Sequence, residues 1–538
     1  MDEGEPMKTD VAILGGGLAG LTLALQLRQQ FADLDIVVLE RQRHPVPEAI
    51  HKVGESSVEI AAHYLDSVLD LRDHLCSHQL KKFGFRFFSS EGRRDIEAVQ
   101  EIGVRDYLST PTYQIDRGIF ENFLGVRARE AEIRFIDGVG VRDVDLGSDD
   151  GEHGIRYERR GESCGLAARW LIDASGRAGI LKRKLGLAVE NDHDVNSAWF
   201  RIGARIDVSD WSNDRQWRER CDPRHRWLST NHLVGEGYWV WLIPLASGSH
   251  SVGIVADGRI HPLRRINSFE RAMDWLREFQ PLLADDIESK QDRLQDFAFL
   301  KHFSYGCSKL FSGSRWAITG EAGVFLDPFY SPGGDFIAIS NTYITELIAR
   351  DRAGQAVAPY ARIYEQFFMS FYHSTMSLYR DQYRIFGDPE VLPVKVIWDY
   401  TYYWGVLCQL FFQRRLTDLQ MLSRLRGELQ GSMSLNSAMQ DFLRQWTAHS
   451  KRRNLPIMHD QGRLAWFVEL NRGLRDSLDD EAFRVRIRET TRQLAELARE
   501  IVVLACTEHP GLDARSVLAL LEDRNSPVTT GLLVESAA

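Results

Sequence analysis

Val11-Ala12-Ile13-Leu14-Gly15-Gly16-Gly17-Leu18-Ala19-Gly20 opens with four apolar residues in a row and closes in a glycine turn. An unbroken apolar run that ends in glycine predicts a strand buried on both faces, the kind that parallel sheets contain. Working outward, Leu18 to Phe31 spaces Leu21, Leu23, Ala24, Leu25 and Leu27 at helical intervals, and Ile36 to Leu39 is a second buried-strand run ending at Glu40. Strand, glycine turn, helix, strand and acid within about 30 residues make one βαβ unit. The glycines at 15, 17 and 20 satisfy GxGxxG. Gly15 permits the tight turn, Gly17 lets a pyrophosphate approach the backbone, and Gly20 lets helix and strand pack closely. Leu18 and Ala19 open the helix, where unpaired N–H groups and the positive end of the dipole favour phosphate. Glu40, followed by Arg41, is placed to accept hydrogen bonds from ribose hydroxyls. A plain turn would account for the glycines, but not for the flanking strands and the acid. The stretch therefore predicts a doubly wound α/β fold that binds a dinucleotide.

At 538 residues the chain is too long for a single core, so two or more domains are expected. A net charge of -10 argues against a nucleic-acid partner, which requires a basic face. Cys76, Cys164, Cys221, Cys307, Cys408 and Cys506 form no CxxC-type pair, so neither a metal site nor a disulfide frame is expected, in keeping with a reducing cytoplasm. Met1 to Asp10 is acidic and polar and does not read as a signal peptide. The most apolar stretch, Ile397 to Phe412, contains Asp399 and Gln409 and is shorter than the ~20 residues of a membrane span, so no transmembrane segment is expected.

Residues 1–190 and 300–345 are expected to form the dinucleotide-binding module, 191–299 an inserted antiparallel sheet, and 346–538 a helical C-terminal region. Strands are predicted over Phe83 to Phe88, Ala198 to Ile206 and Tyr238 to Pro244, and helices over Val58 to Leu71 and from Ile115 to Leu124. Ile487, Leu494 and Ile501, with Leu497 and Leu504 beside them, predict a long amphipathic helix near the end. The aromatic band from Phe367 to Phe412 reads as core or, where it lines a cavity, as the wall of an apolar substrate site. The last dozen residues are expected to be loose.

Further marks cluster around the βαβ unit. Asp116-Arg117 opens a helix after a strand, Asp173-Ala174-Ser175-Gly176 closes a strand, and Gly320-Glu321-Ala322 follows a late strand. Trp239-Val240-Trp241-Leu242-Ile243-Pro244 matches WxWxIP, and strand alternation puts Trp239, Trp241 and Ile243 on one face. Phe325-Leu326-Asp327-Pro328-Phe329-Tyr330-Ser331-Pro332-Gly333 matches FxxPxxSxG. Lys81 and Lys82 precede the apolar run Phe83 to Phe88, after the turn Gly54-Glu55-Ser56 and its following helix. A lysine at the mouth of such a strand can be desolvated and used as a nucleophile or acid, whereas two solvated loop lysines would mean nothing for chemistry.

Over about Val11 to Asn341 these motifs resemble those of the flavin-dependent halogenases, within the FAD monooxygenase-like fold shared with glutathione reductase and the aromatic hydroxylases. The resemblance implies FAD held by the glycine turn, Glu40, Arg41, Gly54, Glu55, Ser56, Arg117, Asp173, Glu321, Pro328, Gly333 and Gly334. It implies a halide held near Ser331, Gly333 and Gly334, and a passage lined by Trp239 and Trp241. It implies Lys82 as the catalytic lysine that offers the electrophilic halogen of hypohalous acid to the substrate, with Lys81 as competitor. FAD would arrive reduced from a separate flavin reductase, with O2 and chloride or bromide as co-substrates. Two departures matter. Pro332 lacks an N–H, so one halide donor is gone, although Gly333 and Gly334 can supply others. Tyr330 stands where tryptophan halogenases carry a glutamate, which points to a ring activated by its own oxygen: a phenol or resorcinol, free or borne on a carrier protein. An FAD hydroxylase and a flavin-binding protein without turnover are the competing readings, and halide dependence of the product separates them.

Overall fold

The computed structural model describes residues 7–48, 53–147 and 151–521. The expectation for the last dozen residues lies outside the described residues, as do the first six positions of the amino-terminal segment. The chain forms two compact units. The first is Met1–Gln79, Ile115–Asn191 and Ser304–Ser370; the second is Leu80–Gln114, Asp192–Phe303 and Phe371–Ala538. This corrects the expected three-part division. Residues 80–114 leave the dinucleotide module because Phe85–Phe88 pairs in parallel with Thr230–Gly235, while Glu101–Gly103 pairs with Met458–Asp460. The second of these pairings also ties the C-terminal region into the same unit as the inserted sheet, and the first unit runs on past 345 to Ser370.

The first unit is built on a sheet whose parallel core runs Arg134–Asp137, Ile36–Glu40, Met7–Leu14, Glu162–Asp173 and Trp316–Ile318. His153–Arg159 and Val139–Asp145 extend it antiparallel beside Glu162–Asp173. Val11 to Leu14 and Ile36 to Leu39 are buried throughout, as their unbroken apolar runs require. Helix Leu18–Gln30 packs against Arg117–Glu130 and Gly333–Arg352. Leu14 stands opposite Asp173, and Asp173 opposite Ile318, so the turns at Gly15, Ala174 and Thr319 gather at the carboxyl ends of the strands. That edge is where doubly wound sheets bind ligands.

The second unit carries a sheet in the order Leu294–Leu300, Val195–Ile202, His250–Asp257, Tyr238–Pro244, Thr230–Gly235, Phe85–Phe88, Glu101–Gly103 and Met458–Asp460. Two strands differ from expectation. The predicted Ala198 to Ile206 starts earlier and stops at Ile202, where the register slips and Gly203 donates its N–H to the carbonyl of Arg293 at 2.8 Å. The predicted Phe83 to Phe88 begins at Phe85, and the segment before it is held by Lys82 N–H to Thr112 O at 2.8 Å and Phe83 N–H to Leu228 O at 3.1 Å. On one face Phe88, Phe200, Leu233, Val240, Leu242 and Ile254 pack with Trp275, Leu276, Leu283 and Ile287 of helices Phe269–Phe279 and Pro281–Glu288. Each such side chain contributes about 1.5–3 kcal/mol of burial.

The long helix near the C-terminus spans Asp480–Glu508 and buries Phe483, Ile487, Leu494, Leu497 and Ile501. Leu504, expected among them, is 39% exposed. A seven-residue spacing drifts by ~20° per repeat around a 3.6-residue helix, and that drift carries Leu504 off the edge of the buried face. Ile397 to Phe412 is helical through Leu392–Tyr402, a π-turn at Tyr403–Cys408 and Gln409–Phe412. No described helix is long and apolar enough to cross a membrane.

Candidate active site

The glycine turn of the first unit has the shape of a phosphate cradle. Gly15 sits at φ +114°, and a Cβ there would lie 2.3 Å from the Ala174 carbonyl oxygen, so the turn closes against the neighbouring strand. A Cβ on Gly20 would come within 1.9 Å of the Gly15 oxygen. Gly17 is the opposite case: a Cβ would meet only Glu121 Oε1, at 3.9 Å, leaving open space above the backbone. Gly17 caps helix Leu18–Gln30 without a side-chain hydrogen bond, so the amides of Leu18, Ala19 and Gly20 have no partner within the helix. Closed at Gly15 and Gly20 and open at Gly17, the turn fits the pyrophosphate of FAD.

Glu40 ends its strand and accepts the Gly16 N–H at 2.6 Å through Oε2 and the Gln42 N–H at 2.7 Å through Oε1. One oxygen thus steadies the glycine turn, and each keeps lone pairs for a hydroxyl. Arg41 beside it is exposed. Arg117 is the first residue of helix Arg117–Glu130 and donates to Val53 O at 2.7 Å and to Glu121 Oε1 at 2.6 Å. A Cβ on Gly54, at φ +88°, would lie 3.0 Å from Arg117 Nη1. Gly17, Gly54, Arg117 and the buried Glu121 therefore form one cluster. Glu121 had no motif to announce it; its only signal is the i,i+4 spacing from Arg117. Glu55 and Ser56 are buried beside this turn, and the Glu55 carbonyl accepts the Ile115 N–H at 2.5 Å.

Two acids of the expected FAD set are engaged within the protein. Asp173, expected among the FAD contacts, is fully buried and spends its carboxylate on its own turn. It accepts Ser175 N–H at 3.0 Å, Ser175 Oγ at 2.6 Å and Leu181 N–H at 2.7 Å. Burial pushes its pKa up against these hydrogen bonds. Glu321 lies in the turn Gly320–Ala322 with Oε2 3.3 Å from Arg177 Nε. Gly320, at φ +62°, brings this turn up to the helix start, since a Cβ there would lie 2.9 Å from that of Ala19.

Pro328–Tyr330 is a short 3₁₀ turn capped by the buried Asp327, which accepts the Phe329 N–H at 3.0 Å. Ser331 follows in the left-handed region at φ 53°, and Pro332 caps helix Gly333–Arg352. The amides of Gly333, Gly334 and Asp335 thus stand at a helix N-terminus, the arrangement that favours an anion. The space beside Gly333 is open, whereas a Cβ on Gly334 would lie 2.7 Å from Ala61 Cβ. The Asp335 carboxylate is directed at the Ala61 N–H, 2.9 Å away.

The second unit holds the lysines and tryptophans. Lys82 is 3% exposed, with Nζ 3.4 Å from the centroid of the Phe85 ring. Lys81 is exposed and lies over Tyr107 at 4.4 Å. Lys82 does not begin a strand as expected: Leu80–Lys81 ends before it, and it stands in the connection to Phe85–Phe88. The face of the sheet opposite the helices carries an aromatic chain. Phe85 and His232 have ring centroids 5.3 Å apart, His232 and Trp239 5.2 Å, and Trp239 and Trp241 5.7 Å. Trp239 donates Nε1–H to the Tyr383 hydroxyl at 3.2 Å, and Trp241 to Ser251 Oγ at 3.1 Å. The Trp241 ring lies flat over Gly253, where a Cβ would be 2.1 Å away. His232 and Tyr383 lie outside every motif; His232 enters only through its register opposite both Phe87 and Trp241. Among the described residues, Glu390, Glu508 and His509 bring ligand-type atoms within 4.8 Å of one another, but Glu390 already accepts hydrogen bonds from Trp446, Ser450, Lys451 and His509.

Residues 8–221, a stretch that contains the glycine turn, match the FAD binding domain family. The flavin-dependent halogenase chlA of Dictyostelium discoideum is 26% identical over 473 residues, covering 78% of this chain and 75% of that protein. The chain is a relative of the flavin-dependent halogenases. A 1H-pyrrole-2-carbonyl-(peptidyl-carrier protein) chlorinase of Pseudomonas fluorescens is 27% identical over 340 residues, covering 60% of this chain and 72% of that one. Among solved structures, the halogenase PltM in complex with phloroglucinol and FAD has the same fold, with a TM-score of 0.63 at 17% identity over 91% of this chain and 96% of that one.

Proposed function

We propose that the chain is an FADH2-dependent halogenase acting on electron-rich phenols or resorcinols. The observation that carries this reading is Lys82, a cation withdrawn from water and seated on the Phe85 ring, in the same unit that presents WxWxIP as a buried aromatic face. Reduced FAD, when bound, would supply the two electrons that activate O2, and the activated oxygen would be the oxidant that takes halide to hypohalous acid. The residues around it have separate tasks. Gly15, Gly17, Gly20 and Arg117 bind and orient the cofactor. Ser331 and the amides of Gly333 and Gly334 hold the halide. Trp239 and Trp241 form an apolar wall that excludes water and so limits hydrolytic loss. The Lys82 ammonium hydrogen-bonds hypohalous acid and presents its halogen to the ring; the ring carbon takes the halogen, loses its proton, and water forms.

Pro332 removes one N–H from the halide turn and is the feature that favours hydroxylation instead. Against it, helix Gly333–Arg352 begins one residue later and offers further amides. The reading extends to partners: reduced FAD is taken from a separate reductase. Following the named activity of the Pseudomonas relative, a phenolic acyl group on a carrier protein is the tethered form of the substrate to be tried.

The test combines purified protein, enzymatically reduced FAD, O2, bromide or chloride and a panel of free and carrier-borne phenols, read by mass spectrometry. Halide-dependent monohalogenation of a phenol is the expected result, with Lys82→Ala lowering it at least a thousandfold while FAD binding and oxygen consumption persist. A hydroxylated product independent of halide would establish the monooxygenase reading. Oxygen consumed only to peroxide, with no product from any phenol, would refute halogenation of this substrate class.

A further inference from the structure

A cavity lies within the first unit, away from the glycine turns. It has a volume of about 710 Å³ and is lined by Arg169, Lys309, Arg315 and Arg362, with Asp351 among them. Strands Glu162–Asp173 and Trp316–Ile318 run parallel, with Leu171 opposite Trp316 and Asp173 opposite Ile318. Arg169 and Arg315 therefore stand toward the amino ends of this pairing, whereas the FAD turns lie at the carboxyl ends. Helix Gly333–Arg352 spans the same separation: its first turn belongs to the halide cradle, its last holds Asp351, and its 20 residues rise ~30 Å. The cavity is thus no part of the cofactor site.

Its charge is one-sided. Four cationic side chains meet a single carboxylate in the lining, on a chain whose net charge is -10. That carboxylate is already engaged: Asp351 accepts Arg169 Nε at 2.8 Å and Nη2 at 2.9 Å, Arg315 Nε at 3.0 Å and Trp170 Nε1 at 2.9 Å. It fixes two guanidiniums in place without cancelling the other cations. Lys309 and Arg362 are exposed, and neither forms an ion pair among the described residues. The nearby Glu365 directs Oε2 to the amides of Leu310 and Phe311, at 2.8 and 2.9 Å, and so braces the loop rather than filling the cavity. The loop is held rigidly on its other side, since a Cβ on Gly313 would lie 2.5 Å from that of Ala358. Phe311, Val357 and Ala361 add an apolar wall. A concave, preorganised set of guanidiniums and an ammonium suits phosphate oxygens better than a single carboxylate.

We propose that this cavity binds a small phosphate-bearing anion, with Lys309 and Arg362 closing on it from the rim and Arg169 and Arg315 held ready by Asp351. Free pyrophosphate and a nucleoside diphosphate share that chemistry and serve as the two probes. The experiment uses full-length protein saturated with FAD, so that the dinucleotide cradle is blocked. Pyrophosphate and ADP are titrated calorimetrically at low salt, with sulfate at equal ionic strength as control. Expected is a dissociation constant below about 1 mM for at least one phosphate probe and weaker binding of sulfate. The double variant Lys309→Ala/Arg362→Ala should weaken phosphate binding at least tenfold while bound FAD, read by its absorbance, stays constant. ADP binding more tightly than pyrophosphate would assign the organic phosphate; equal binding would assign the free anion. No binding of either probe, binding no tighter than that of sulfate, or binding that the double variant leaves within twofold would overturn the proposal. The absence of a halogenated product from every phenol, which would refute the proposed function, would leave it untouched.

Discussion

At the scale of single residues, the glycines of the turn separate into structural and ligand-facing positions. Gly15 and Gly20 are demanded by the fold, since a Cβ on either would strike backbone oxygen. Gly17 is not: its φ of -84° is open to any residue, and only Glu121 Oε1, at 3.9 Å, comes near a Cβ placed there. In the FAD site proposed above, what a side chain at Gly17 would meet is the cofactor. Gly17→Ala should therefore leave the melting temperature of the FAD-free protein unchanged while weakening FAD at least tenfold, a loss of about 1.4 kcal/mol or more. Gly15→Ala should do the reverse, costing about 1–3 kcal/mol of stability through backbone strain before cofactor binding is even considered. Thermal unfolding without FAD, paired with flavin fluorescence titration, separates the two effects. Equal destabilisation by both substitutions would mean that Gly17 is structural and the cradle misplaced.

At the scale of elements, the N-terminus of helix Gly333–Arg352 joins packing to the proposed halide site. Gly334 permits close approach to helix Glu59–His63, because its Cβ would lie 2.7 Å from Ala61 Cβ, whereas Gly333 faces open space. Gly334→Val should thus destabilise the protein by about 1–3 kcal/mol through overpacking and raise the KM for bromide as the helix start shifts. Gly333→Ala should leave stability within about 0.5 kcal/mol of the wild type. Steady-state kinetics in bromide and a melting curve check both. This element also shows how far the sequence could be read. FxxPxxSxG marked a turn that ends at Ser331 and runs into the helix beginning at Gly333, because proline and glycine punctuate backbone locally. It could not show that the Ala61 amide claims the Asp335 carboxylate, a contact across 274 residues of chain. The same limit hid His232, which joins Phe85 and Trp239 only through strand register. Local patterns fix turns and periods; partners brought together by pairing and packing are invisible to them.

At the scale of the whole molecule, the division into units was the least legible feature. Nothing in the composition of residues 80–114 marks them as part of the second sheet, since a strand pattern does not state which strand it will pair with. That sheet also gives the fold a pH dependence of its own. His250 is fully buried at the start of the interior strand His250–Asp257, where Nδ1 accepts the Ile206 N–H at 3.2 Å, so the ring is held neutral with its proton on Nε2. Burial, reinforced by Lys290 and Arg205, lowers its pKa to about 3. In the unfolded chain the same ring titrates near the ordinary value of about 6.5. The unfolded state then binds the proton first as pH falls, so the stability that neutral His250 supports is complete above pH ~6.5 and is lost progressively toward pH 3. At pH 5 this one group costs about 2 kcal/mol relative to neutral pH. His250→Asn, which offers an acceptor without a titrating ring, should be less stable than the wild type at pH 7.5 yet lose less stability between pH 7.5 and 5. The difference between the two slopes, read from urea unfolding at both pH values, isolates the imidazole from every carboxylate that titrates lower. Parallel slopes in the two proteins would mean that His250 takes its proton in the folded state as readily as in the unfolded one, and that burial at this strand end is not what governs the acid limit of the fold.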